Sequence, residues 1–115
     1  VNIENIFDHS YFNLEKPEKI VPYIQNKGVT VVFCDGGHKK GEFSMISPYL
    51  KTGDYILAHD YIDTLENFEN DFKGKIWNWR EVGEEDLIET AQKENLVPSY
   101  QEEFSKIVWA CKQKQ

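Results

Sequence analysis

Two short apolar runs, each cut off by a polar group carrying an acid, constrain this chain more than anything else in it. Val29-Thr30-Val31-Val32-Phe33-Cys34 stops at Asp35-Gly36-Gly37-His38, and Tyr55-Ile56-Leu57-Ala58 stops at His59-Asp60-Tyr61. Runs this short and this continuously apolar read as strands covered on both faces, not as long helices or as strands with one wet face. Between them Phe43, Met45, Ile46 and Leu50 fall near helical spacing over Lys40 to Leu50, and Lys51-Thr52-Gly53-Asp54 supplies a basic last turn and a glycine stop. The segment predicts a strand, helix, strand unit whose right-handed crossover makes the two strands parallel, the first of them central in its sheet.

The flanking sequence adds further elements. Ile3, Ile6 and Phe7 before Asp8-His9-Ser10 suggest a short opening strand. Pro17, Ile20, Val21, Ile24 and Gly28 suggest an amphipathic helix of about three turns. Ile62 to Lys75, polar with Leu65, Phe68 and Phe72 interspersed, reads as an exposed helical or irregular insertion. Glu84 to Asn95 has the acids Glu84-Glu85-Asp86 in its first turn and Leu87, Ile88 and Ala91 on one face, a helix with Asn95 as terminator. Leu96 to Phe104 and Lys106 to Cys111 read as two final strands, with Pro98 pushing the first toward a sheet edge.

Composition narrows the function classes. With 20 acidic against 13 basic residues and a formal charge of −7, the surface is poorly suited to duplex DNA or anionic lipid, and a small-molecule or protein partner fits better. No apolar run approaches the roughly 20 residues of a membrane span, so the sequence predicts a soluble, cytoplasmic single domain. Cys34 and Cys111 sit in apolar runs outside any Cys/His cluster and read as buried free thiols. The chain opens on Val1, consistent with processing or with a piece of a longer reading frame.

In an open parallel sheet, ligands bind beyond the carboxyl ends of the strands, where Asp35 and Asp60 fall. Neighbouring strands lie about 5 Å apart, so carboxylates there could converge on one hard divalent cation, with His59 or Tyr61 completing or orienting the site. An acid at a strand end also caps the following turn by accepting backbone N–H bonds, and both readings stand for Asp35 and Asp60. His38, three residues after Asp35, is either a general base for the same pocket or a surface histidine opening a helix. Trp77 and Trp79 share one face of a strand, as an aromatic wall for substrate or as core packing. Packing is the expected role for both and for Trp109.

Val31-Val32-Phe33-Cys34-Asp35-Gly36-Gly37-His38 and Leu50-Lys51-Thr52-Gly53-Asp54-Tyr55-Ile56-Leu57-Ala58-His59-Asp60-Tyr61 together resemble the later half of class I S-adenosylmethionine-dependent methyltransferases, in the cephalosporin hydroxylase and sugar O-methyltransferase branch. The resemblance implies an α/β fold: a partial Rossmann-like sheet, mainly parallel with an antiparallel carboxyl-terminal strand pair and helices on both faces. It implies magnesium on Asp35 and Asp60, with His59 where some relatives place a second acid, His38 as base, and a small hydroxylated, sugar-like acceptor. The superfamily's glycine-rich cofactor loop has no counterpart in this sequence. In the full strand order, 3-2-1-4-5-7-6, Val1 to Phe7 would be the third strand and the first two would be missing. That leaves the fourth strand's edge to be covered by a second copy, by the amino-terminal strand, or by the other half of a longer protein. The expectation is therefore the carboxyl-terminal half of a metal-assisted O-methyltransferase, or a non-catalytic binding or dimerisation module of the same shape.

Overall fold

The computed structural model describes residue 18 and residues 20–115. The opening strand, His9 and the Pro17 helix start lie outside these residues. The first described helix, α1 (Val21–Ile24), is a single turn rather than three. Pro22 stands in that turn; deeper inside a longer helix its ring would clash with a carbonyl one turn back, so the helix begins beside it. Ile24 is buried, and Gly28, at φ 92°, turns the chain into the sheet.

The strand, helix, strand unit forms as β1 (Val31–Cys34), α2 (Lys39–Ile46) and β2 (Tyr55–Ala58), with β1 and β2 parallel in the register Val32 to Ile56 and Cys34 to Ala58. Pro48 ends α2 in a short 3-10 turn, Ser47–Tyr49. Asp54 is fully buried and ties the two strand starts together: its carboxylate accepts from the Thr30 N–H at 2.8 Å, the Lys51 N–H at 2.7 Å and Lys51 Nζ at 2.9 Å. The Lys51 ammonium also donates to the Ile24 carbonyl and to Thr30 Oγ1, so this one aspartate organises the whole entry to the sheet.

The polar stretch after β2 contains α3 (Leu65–Asp71), capped by Thr64 Oγ1 accepting from the Asn67 N–H at 3.1 Å and anchored by buried Phe68. Then follow α4 (Glu84–Lys93), β3 (Leu96–Pro98), α5 (Gln101–Ser105) and β4 (Ala110–Lys114). The acids of Glu84-Glu85-Asp86 occupy the first turn of α4 as expected, and Asn95, at φ 55°, ends it.

Three expectations are corrected. The sheet is mixed, not mainly parallel: in the order β1-β2-β4-β3, β4 lies between β2 and β3 and runs antiparallel to both. A single opposed strand inserted there leaves one parallel pairing. Second, β1 is at the end of the described sheet, not central. Val32 and Cys34 face the core, while Val31 and Phe33 are 49% and 61% exposed. A continuous apolar run reports side-chain type, not what covers each face. Third, the final hairpin is shorter and shifted. Pro98 ends β3, Tyr100 turns the chain at φ 51°, and Gln101–Ser105 is helical. The Gln101 amide replaces a strand partner, accepting from the Cys111 N–H at 3.1 Å and donating to the Trp109 carbonyl at 3.1 Å. Polar Lys112-Gln113-Lys114 belongs to the sheet because Lys112 is paired beneath it.

Strand alternation sorts the sheet into two faces. Val32, Cys34, Ile56, Ala58, Ala110 and Leu96 meet Phe43 and Ile46 of α2 and Leu87 and Ala91 of α4, forming the main core. Leu57 and Cys111 are buried on the far face, where Tyr100 leans on Tyr55 and α5 packs along β4. Both cysteines are buried free thiols, as expected. Burial, with the charge of Glu42, pushes the Cys34 thiol far above its ordinary range; burial pushes Cys111 up to about 11 despite the opposing charge of Lys112. Trp77 and Trp79 are not on a strand: Trp77 stacks on Phe72 at 5.8 Å, and Trp79 is exposed. Among the described residues no helix is long and apolar enough to cross a membrane.

Candidate metal centre

The two strand ends bring their acids together. Beyond the last paired residues, Cys34 and Ala58, the His59 N–H still donates to the Cys34 carbonyl at 3.1 Å, so the ladder carries His59 alongside Asp35. Asp60 follows in the left-handed region at φ 56°, which an aspartate tolerates better than most residues. Its carbonyl accepts from the Val82 N–H at 3.3 Å, and the next residue, Tyr61, donates its N–H to the Val108 carbonyl at 2.9 Å. The turn is thereby held on both sides.

The result is a convergence of three ligand atoms. His59 Nδ1 lies 3.1 Å from Asp35 Oδ1 and 3.3 Å from Asp60 Oδ1, and one donor atom from each residue falls within 4.8 Å of the others. Asp35 is the exposed member, whereas His59 and Asp60 are partly buried. The His59 ring leans on Trp109 with centroids 4.5 Å apart, and Trp109 meets the edge of Phe33 at 5.6 Å. Trp109 therefore packs as expected, and what it packs against is a candidate ligand.

Lys39 completes the electrostatics. Its buried ammonium sits 3.0 Å from Asp60 Oδ2 and 2.9 Å from Glu81 Oε1. Burial alone would disfavour its charge, but the hydrogen bonds and charges of Glu81 and Asp60 outweigh that and hold Lys39 above the ordinary lysine range. Lys39 thus occupies one oxygen of Asp60 and leaves the other facing His59.

His38 is placed differently. It precedes α2 with its ring folded over the first turn, where a side chain at Gly41 would meet the imidazole at 2.6 Å. Among the described residues no hydrogen bond or ion pair joins that ring to Asp35, His59 or Asp60. The loop before it is held by buried Glu42, whose carboxylate accepts from the Gly36 N–H at 3.1 Å and the His38 N–H at 3.2 Å. A Cβ on Gly36 would lie 2.7 Å from that carboxylate, which explains a glycine there. Both of these amides are therefore satisfied within the turn.

Lys39, Glu81 and Glu42 had not stood out in the sequence. Glu42, an acid in the first turn of a helix entered through two glycines, carried a usable capping signal. Lys39 and Glu81 are 42 residues apart and carried none. A separate cleft of about 230 Å³, lined by Tyr61, Ile62, Asp63, Asn67, Asp71, Phe72 and Ser105, contains none of the three converging ligands. Compared with models of protein families, with curated proteins and with solved structures, the chain finds no match in any of the three.

Proposed function

We propose that this chain is the metal and acceptor side of an O-methyltransferase-like enzyme acting on a small hydroxylated, sugar-like molecule. The observation that carries the proposal is the convergence of Asp35, His59 and Asp60 at the carboxyl ends of two adjacent parallel strands, where α/β sheets place their ligands. The strand order supports the finer, Rossmann-like assignment: β1-β2-β4-β3, with β4 opposed, corresponds to the 4-5-7-6 portion of the order that the resemblance implies.

In this reading Asp35, His59 and Asp60 hold a divalent cation, magnesium by the resemblance. Such an ion, when bound, lowers the pKa of a coordinated hydroxyl. Lys39 fixes Asp60, and Trp109 fixes the ring of His59. His38 is the proposed acceptor of the hydroxyl proton at an imidazole nitrogen; its exposed ring would swing off Gly41 to do so. Because the sequence has no glycine-rich cofactor loop, S-adenosylmethionine in this reading is held by a partner chain or a further segment.

Calorimetric titration with magnesium and then with S-adenosylmethionine tests the proposal. Heat for the ion that disappears in Asp35→Ala supports it, and no binding of any divalent ion refutes it. A second reading, a binding or dimerisation module, is favoured by β1, which among the described residues is the outer strand of the sheet and exposes the apolar side chains of Val31 and Phe33. Sedimentation would separate the two: a dimer disrupted by Phe33→Lys, with no ion binding, supports the second.

A further inference from the structure

We infer that the Asp35, His59, Asp60 cluster is built for a borderline transition-metal ion of the cobalt or zinc kind, in preference to magnesium. The inference rests on the metal-site reading above and specifies which class of ion that site takes. Donor chemistry separates the candidate ions. Magnesium takes oxygen ligands almost exclusively and keeps several waters, whereas an imidazole nitrogen favours the later divalent ions. Here the nitrogen is central: Nδ1 of His59 lies close to both carboxylates, at 3.1 and 3.3 Å. An ion bound to both acids would meet that nitrogen as well.

The spacing agrees. Ligands about 2.1 Å from a metal stand about 3.0 Å apart at right angles and about 3.4 Å apart in a tetrahedron. The two nitrogen-to-oxygen separations fall in that interval, and an ion bound by all three groups would also draw together the carboxylate oxygens, which lie within 4.8 Å of each other.

Charge attracts a cation without choosing among divalent ions. Lys39 lies 3.0 Å from Asp60 and is shared with Glu81, so Asp35, Asp60 and Glu81 against one ammonium leave two net negative charges around the cluster. The choice of ion therefore rests on the bond to nitrogen. The Lys39 contact holds Asp60 Oδ2 away, leaving Oδ1 as a single donor, while Trp109 restrains the imidazole. The exposed side of Asp35 leaves open positions for water or a substrate oxygen.

The test uses the untagged chain with single ions. Cobalt(II) is expected to bind one to one with a visible ligand-field band and to quench Trp109 fluorescence, a quench lost in Trp109→Phe. Competition is expected to place cobalt and zinc at least about tenfold tighter than magnesium. His59→Asn should erase that preference while circular dichroism stays native. If that variant fails to fold, Asp35→Asn, at the exposed ligand, should still weaken cobalt binding. Magnesium binding as tightly as cobalt, or a cobalt band unchanged in His59→Asn, overturns the inference and leaves the metal-site reading standing. No binding of any of the ions overturns both.

Discussion

Lys112 offers a sharp test of how this sheet is held. Its side chain is 2% exposed on the core face of β4, and its Nζ lies 2.8 Å from Glu84 Oε1 at the start of α4. The other oxygen of Glu84 accepts from the Tyr61 hydroxyl at 2.6 Å. Glu84→Gln leaves a buried ammonium without its counter-charge. Breaking one partner of a fully buried pair costs about 3–5 kcal/mol. Glu84 itself is 35% exposed, so water screens part of this, and we expect roughly 2–3 kcal/mol. Lys112→Met is different. It replaces the stem with an apolar chain beside Ile56 and leaves Glu84 with Tyr61, solvent and the helix N-terminus, for a cost of about 1 kcal/mol or less. At roughly 4 °C per kcal/mol for a domain of this size, Glu84→Gln should lower the melting temperature by about 8–12 °C and Lys112→Met by no more than about 4 °C. Circular dichroism melts of both variants measure this. A Lys112→Met loss equal to or larger than that of Glu84→Gln would refute the reasoning.

Asp54→Ala removes the acceptor of two backbone N–H groups at the entry to the sheet and should cost roughly 3–5 kcal/mol by urea unfolding, with Asp54→Asn retaining part of it; a loss under about 1 kcal/mol for the alanine would contradict the clamp. Cys34 and Cys111 should resist a disulfide reagent at pH 8 in the folded chain and react fully in urea; rapid native labelling of both would contradict their burial. Because burial raises both thiol pKa values, their contribution to stability is complete below the ordinary thiol range and is lost as the pH rises toward about 11. Stability measured by urea unfolding should therefore fall above about pH 9, and less so in Cys111→Ser.

The strand, helix, strand unit was legible because its signals were local: two apolar runs, helical spacing between them, and glycine-bearing turns after each. The helix at Glu84 was legible for the same reason, through its acidic first turn and Asn95. What could not be read was what each element meets. Nothing local says that Phe33 faces outward or that Lys112 is buried, since the first depends on which face of β1 the helix α2 covers and the second on Glu84, 28 residues away. The end of the chain misled because a side chain, Gln101, took over bonds usually made by a strand. At the candidate site, the strand-end rule brought out Asp35, His59 and Asp60, which converge. His38 is close to Asp35 in sequence, but its ring lies over Gly41 instead. Lys39 and Glu81, which set the charge there, meet only through the tertiary fold.

The central claim is that Asp35, His59 and Asp60 form one ion site. Anomalous diffraction from crystals grown with cobalt addresses it most directly. A single strong peak about 2.0–2.3 Å from His59 Nδ1 and from one oxygen each of Asp35 and Asp60 is expected. Cobalt seated elsewhere on the chain, with the three side chains still holding no ion between them, would contradict it.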